Sequence, residues 1–293
     1  MIVRENIDDF SLDHIFDCGQ CFRWEKQPDG SYTGIAAGRP PVNINFHPYG
    51  GGLYSGKLVI DNAEETDSGT FWSRYLDLDR DYEKIKSALG GSDVRMARVI
   101  ESGQGVRILR QDAWETLVSF IISQNNNIPR IKKNITSICE NFGKPAGEYR
   151  GKEYFEFPGA DVLAALSEQD LAVCRLGYRA EYIVKTARAV REDNCEKLYG
   201  LSGGPADEAF SYLTGLCGVG PKVANCFMLF SMGRIERFPI DVRIRQVMNS
   251  IFGVDMRDVK KMAEYAMENF GEYGGVAQQY LYYYIQKHTG KGD

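Results

Sequence analysis

No uninterrupted apolar run in this 293-residue chain is long enough to cross a bilayer. Its first residues, Met1-Ile-Val-Arg-Glu-Asn6, lack the apolar stretch of a secretory signal. These absences set the expectation of a cytoplasmic protein, or a nuclear one in a eukaryote, with no membrane partner. Histidine is scarce, three residues in all, and none stands at zinc-ligand spacing from a cysteine pair. The seven cysteines are Cys18, Cys21, Cys139, Cys174, Cys195, Cys217 and Cys226. An odd, scattered set reads as reduced thiols rather than a disulfide framework. Cys18-Gly-Gln-Cys21 has C-x-x-C spacing but no second pair, so no metal site is expected there. Tandem repeats, heptads and low-complexity runs are also missing. What remains, 43% hydrophobic and 26% charged, is the balance of a globular protein with a sizeable core.

An overall positive charge is lacking too. The formal net charge of −5 argues, as a sum, against nucleic acid, but the distribution matters more. Residues 61–84 hold eight acids (Asp61, Glu64, Glu65, Asp67, Asp77, Asp79, Asp81, Glu83) and three bases. Residues 119–152 reverse this with six bases and two acids, and residues 222–245 hold five bases and two acids. A basic face on an acidic body fits that pattern; so do ordinary solvated charges.

Residues 20–75 alternate short β-prone runs with turn signals such as Pro28-Asp-Gly30 and Tyr49-Gly-Gly-Gly52. After Gln111 the periodicity is helical, with helices expected over residues 113–123, 128–141, 161–168, 169–176, 180–191, 207–216, 222–232, 241–252, 259–270 and 275–288. The expected fold class is α+β: an antiparallel β-containing domain with helices over residues 1–100, then an all-helical domain over residues 101–293.

Within the second part, Leu213-Thr-Gly-Leu-Cys-Gly-Val-Gly-Pro-Lys-Val-Ala224 carries the most chemistry. Gly218 and Gly220 allow a tight turn and close approach of bare N–H groups to a phosphate. Pro221 suits the first turn of the next helix. Lys222 follows in that turn, where the positive end of the helix dipole disfavours its protonated form. A lysine that sheds its proton is a nucleophile. On glycine spacing alone, an αα-hairpin without a ligand is an equal reading; Lys222 as a plain phosphate contact is a lesser alternative. Downstream, Asp241 in Phe238-Pro-Ile-Asp241-Val suits a helix N-cap.

Gly218-Val-Gly-Pro-Lys-Val-Ala224 with Pro239-Ile-Asp241 resembles the helix–hairpin–helix DNA glycosylase superfamily. Three further segments, Gly19-Gln-Cys-Phe-Arg-Trp24, Ser123-Gln-Asn-Asn-Asn-Ile-Pro-Arg130 and Leu176-Gly-Tyr-Arg-Ala180, resemble the 8-oxoguanine DNA glycosylase/AP lyase family, in order and over nearly the whole chain. The resemblance implies a helix–hairpin–helix catalytic domain behind the β-containing one. The implied enzyme is bifunctional: Lys222 attacks C1′ of a damaged nucleotide, expels the base and leaves an imine, and elimination of the 3′ phosphate nicks the strand. It implies that Asp241 stabilises positive charge developing on the sugar; capping alone is the plainer role.

Lesion recognition has its own logic. Guanine N7 is an acceptor, whereas oxidation at C8 makes it an N–H donor. By resemblance the Gly19 carbonyl meets that donor, though the sequence alone favours an ordinary loop glycine at this position. Cys226 and Tyr282 would sandwich the extruded base, and Gln278 would bond its Watson–Crick edge. Asn125 would fill the vacated space and Tyr178 wedge the duplex. Arg130 and Arg179 would read the opposite cytosine, implying a preference for it; either arginine could instead meet only phosphate. Arg243 stands where animal relatives carry histidine near the DNA backbone. The absence of cysteine after Cys226 speaks against the iron–sulfur cluster of the endonuclease III branch. No cofactor and no metal are expected. The partner implied is duplex DNA containing 8-oxoguanine, bound by a monomer. An alkylated-purine glycosylase and a non-catalytic helix–hairpin–helix DNA-binding protein are the alternatives, and Lys222 argues against both.

Overall fold

The computed structural model describes residues 1–63 and 70–289; Glu64, Glu65 and Asp67 of the acidic segment lie outside the described residues. Strands β1 (Ile2–Ile7), β2 (Trp24–Lys26), β3 (Tyr32–Gly34), β4 (Val42–Pro48) and β5 (Gly56–Asp61) form one antiparallel sheet in the order β1-β5-β4-β3-β2. Alternation builds its core face: in β5, Gly56, Leu58 and Ile60 are buried and their neighbours half-buried. Trp24, Tyr32 and Ile44 join them, packed against Ile15 and Phe16 of α1 (Leu12–Phe16) and against α2 (Phe71–Tyr75). The sheet starts earlier than the expected 20–75 region. β1 buries only Ile2, so as an edge strand it carries little alternation to read.

Helices α3 (Tyr82–Ser92) and α4 (Val94–Ser102) already belong to a second core. That core is centred on α5 (Ala113–Ile122), which is buried at every position but Glu115, as a helix apolar nearly all round must be. Around it stand α6 (Ile128–Phe142), α7 (Ala160–Ala165), α8 (Arg179–Arg191), α9 (Glu196–Gly200), α10 (Ala206–Gly215) and α11 (Pro221–Phe230). The chain closes with α12 (Val242–Phe252), α13 (Val259–Phe270) and α14 (Gly274–Thr289), and α14 packs back on α4. No helix among the described residues is long and apolar enough to cross a membrane.

The helical succession has one interruption that the periodicity did not indicate. β6 (Pro145–Tyr149) and β7 (Lys152–Phe155) form a hairpin closed by Arg150 and Gly151, both at positive φ. Two left-handed central residues match the twist of a two-residue hairpin. Residues 170–174, inside an expected helix, form a 3₁₀ turn that ends on Arg175 at φ +53°.

Side chains bind the two cores. Buried Asp77 accepts from Arg80 Nε (2.6 Å), Tyr82 OH (2.9 Å) and Arg110 Nη2 (2.7 Å). Several bases of the expected basic face pair within the chain. Lys132, Arg150 and Lys152 pair with Asp17, Glu25 or Asp29 of the sheet-bearing part, and Arg234 donates to the Gly204 carbonyl. Half of the positive run at 119–152 therefore joins segments of this chain, leaving Arg130, Lys133 and Lys144 outside those pairs.

Candidate active site

Pro221 opens α11 behind Gly220, which caps it without a side chain. The Lys222 and Val223 amides are thus left with no intrahelical partner. Gly218, at φ +75°, lies so close to Tyr182 of α8 that an added Cβ would stand 2.5 Å from that ring, whereas a Cβ on Gly220 would meet nothing within 4 Å. The fold itself requires the first glycine. The second faces open space, where a phosphate backbone can approach the helix N-terminus.

The carbonyls of the hairpin are engaged from two sides. Thr186 Oγ1 donates to Cys217 O at 2.7 Å, and Gln124 Nε2 donates to Gly218 O at 2.9 Å. Gln124 belongs to the turn between α5 and α6, so that turn and the hairpin are joined by a hydrogen bond. Asn125, at φ +47° and exposed, forms its tip; asparagine tolerates this left-handed backbone better than most residues.

A cleft of about 620 Å³ opens beside this turn. Lys222 and Cys226 of α11 line it, with Asp241 and Arg243 at the start of α12, Gln278 and Tyr282 of α14, Gly19, and Asn125. Phe120 and Phe230 lie at its floor, their rings stacked at 5.4 Å. A cavity of similar size near Asp9, Lys86 and Arg107 contains none of the expected site residues.

Lys222 Nζ donates to Ser123 Oγ at 3.0 Å and lies 5.1 Å from the centre of the Phe120 ring. Asp241 caps α12, its Oδ1 accepting from Ile244 N at 2.8 Å; Oδ2 takes no part in that bond. Cys226 sits between the two. Burial pushes its thiol up to about 11, with Lys222 pulling it down and Asp241 pushing it up. Across the cleft, burial raises the Tyr282 phenol to about 12. Arg243 lies over the Tyr282 ring at 5.6 Å, with Nη1 3.5 Å from its hydroxyl.

Gly19, at φ +76°, faces Tyr282, and its turn is held by Gln20. That fully buried side chain donates to Ile15 O (2.9 Å) and Arg107 O (2.8 Å) and accepts from Leu109 N (2.9 Å). Cys18 and Cys21 are buried thiols whose ionisation burial opposes, in keeping with a packing role. Gln278 is buried, its Oε1 accepting from Gln279 Nε2 at 3.0 Å.

The remaining expected residues stand outside the cleft. Arg130 is exposed on the first turn of α6, and Tyr178 is exposed at the start of α8. Arg179, expected to read the opposite cytosine, turns inward here. The residue is 4% exposed, and its guanidinium donates to the carbonyls of Gln124 (Nε, 2.8 Å), Asn125 (Nη2, 2.8 Å) and Leu176 (Nη1, 3.0 Å). Three converging carbonyls desolvate and hold that fork, so Arg179 grips the turn that bears Asn125. Tyr178 adds a longer contact to Gln124 O at 3.4 Å.

Sequence reasoning assigned no role to Ser123, Gln124, Gln20, Thr186 or Tyr182. For Gln20 there was a signal: a glutamine inside an apolar stretch must be bonded if it is buried. The others are identifiable only from what they face in three dimensions.

Two sequence families match the chain. One, described as 8-oxoguanine DNA glycosylase, N-terminal domain, covers residues 2–117; the other, described as HhH-GPD superfamily base excision DNA repair protein, covers residues 118–272. The N-glycosylase/DNA lyase OGG1 of Arabidopsis thaliana is 30% identical over 94% of this chain and 77% of its own length. Among solved structures, MBOgg1 with a low-affinity DNA ligand superimposes with a TM-score of 0.91 at 41% identity, covering 98% of this chain and 96% of the other. The Clostridium acetobutylicum 8-oxoguanine glycosylase/lyase, bound to duplex DNA with cytosine opposite 8-oxoguanine, gives 0.88 at 40% identity, covering 96% and 93%.

Proposed function

Because the chain belongs to the 8-oxoguanine DNA glycosylase family of the helix–hairpin–helix base-excision repair superfamily, we propose that it excises 8-oxoguanine from duplex DNA, preferentially opposite cytosine, and then cleaves the strand as an AP lyase. Residues 1–100 supply Gly19 to this site and residues 101–293 supply the rest. The enzyme acts as a monomer.

The observation that carries the reading is the convergence of Lys222, Asp241, Cys226, Gln278, Tyr282 and Gly19 on one cleft from four separate segments. Lys222, as a neutral amine, attacks C1′ of the extruded nucleotide. The C1′–N9 bond breaks with its electron pair leaving on the base, which takes up a proton. Asp241 faces the positive charge that develops on the sugar. Opening of the sugar ring gives a C1′ imine, and removal of a C2′ proton expels the 3′ phosphate. Tyr282 and Cys226 sandwich the base, Gln278 meets its Watson–Crick edge, and Gly19 lets the backbone carbonyl approach N7. Gly218, Gly220 and Arg243 anchor the backbone. Asn125 enters the vacated space, Tyr178 wedges the duplex, and Arg130 with Arg179 serves the orphaned cytosine, Arg179 through the turn it grips.

Borohydride trapping on 8-oxoguanine duplexes with each of the four opposite bases tests the reading. A covalent adduct strongest opposite cytosine, and absent in Lys222→Gln, is the expected result. An adduct that survives Lys222→Gln, or equal excision opposite adenine, rejects the corresponding assignment.

A further inference from the structure

We propose that Ser123 is a positioning residue for the Lys222 amine; this rests on the reading of Lys222 as nucleophile. A hydroxyl has one proton to give and two lone pairs. Ser123 Oγ directs its proton at the Phe120 carbonyl, 2.8 Å away, and receives Lys222 Nζ at 3.0 Å. With its proton engaged, Ser123 faces the lysine only as an acceptor. Lys222 must therefore point an N–H at it.

That constraint orients the nitrogen. A neutral amine has two N–H bonds and one lone pair. One N–H is fixed on Ser123, and the Phe120 ring occupies a second side at 5.1 Å, a face that attracts N–H. Cys226, kept as a thiol by burial, stands within hydrogen-bond reach of Lys222 and can take the second N–H. The remaining direction opens on the cleft, where C1′ would stand. Ser123 takes no proton in this role; it holds the amine so that the lone pair, not an N–H, meets the sugar carbon. Alignment of this kind is a recognised source of rate.

Ser123 is itself well held. Its backbone N–H donates to Ser119 O at 3.0 Å, ending α5. The next residue, Gln124, is gripped through its carbonyl by Arg179 and through its side chain by Gly218. The acceptor facing Lys222 thus stands on the same rigid turn that carries Asn125.

A Ser123 that merely ended α5 would bond the Phe120 carbonyl in the same way, so the test must separate the two roles. Ser123→Ala and Ser123→Thr are compared with the unaltered enzyme on an 8-oxoguanine:cytosine duplex. Readouts are the single-turnover rate of borohydride-trappable adduct, the enzyme concentration giving half-saturation, and the melting temperature. Ser123→Ala is expected to slow adduct formation at saturation about tenfold or more with unchanged half-saturation, and Ser123→Thr to restore it to within about threefold. Three results overturn the proposal: an unaffected Ser123→Ala rate, a loss confined to duplex binding or melting temperature, or a threonine variant as slow as the alanine one. Unaltered enzyme that gives no adduct removes the lysine assignment and this proposal with it. Trapped unaltered enzyme beside an equally fast Ser123→Ala overturns this proposal alone.

Discussion

Gly19 and Tyr282 are in contact across the mouth of the cleft: a Cβ on Gly19 would stand 3.1 Å from the Tyr282 ring. The glycine comes from the turn between α1 and β2, the tyrosine from the last helix. Gly19 also holds φ +76°. In Gly19→Ala, backbone strain costs about 1–2 kcal/mol and the ring must shift by a few tenths of an ångström. The expected outcome is a modest fall in melting temperature with a much larger loss of 8-oxoguanine excision. Equal losses for 8-oxoguanine and for a preformed abasic site would remove Gly19 from base recognition.

Asp241 caps α12 and, in the proposed mechanism, also faces the sugar. Asp241→Asn keeps an oxygen acceptor for the Ile244 amide, so stability should hold to within about 0.5 kcal/mol. Base excision should fall by about a hundredfold, since the charge facing the sugar is gone. Chemical denaturation and single-turnover excision, measured on the same preparation, check both halves. An excision rate like that of the unaltered enzyme would reduce Asp241 to a cap.

Gln124 ties the α5–α6 turn to the hairpin through its amide on Gly218 O. Gln124→Ala deletes that bond and the one to Ile121 O, at about 1–2 kcal/mol for the pair. Affinity for an abasic-analogue duplex should weaken, because Asn125 and the hairpin amides lose their common frame. Duplex affinity identical to that of the unaltered enzyme would show that the two DNA-facing turns are held independently.

Cys226 supplies a pH dependence. Its thiol lies at about 11 in the folded chain against an ordinary 9.0. The fold therefore favours the protonated form, and that contribution is complete below pH 9 and disappears as pH rises from 9 to about 11. At pH 8 the thiolate fraction is about one in a thousand. Alkylation of Cys226, followed by peptide mass spectrometry, should stay slow at pH 8 until denaturant is added. Rapid labelling of the native protein would contradict the burial.

Much of the catalytic apparatus is legible in the chain because its signals are local. A glycine pair before a proline–lysine step and an aspartate before a helical run are read from neighbours a few residues apart. Gly218, Lys222 and Asp241 accordingly stand where the hairpin, first turn and cap were expected. β1 and the β6–β7 hairpin were not legible, since an edge strand with one buried residue and a short exposed pair bury too little to pattern.

The sequence by itself determined the helix–hairpin–helix motif, the nucleophile candidate and the α+β division, for these follow from backbone preference and short-range periodicity. Tertiary structure decided how those parts serve one another. It turned Arg179 inward onto three carbonyls, because the α5–α6 turn brings those of Gln124 and Asn125 beside the start of α8, where that of Leu176 also lies. It set Ser123, 99 positions away in the chain, against Lys222. Hydrogen bonds across such separations depend on where two helices end in space, and no local pattern in either segment records that.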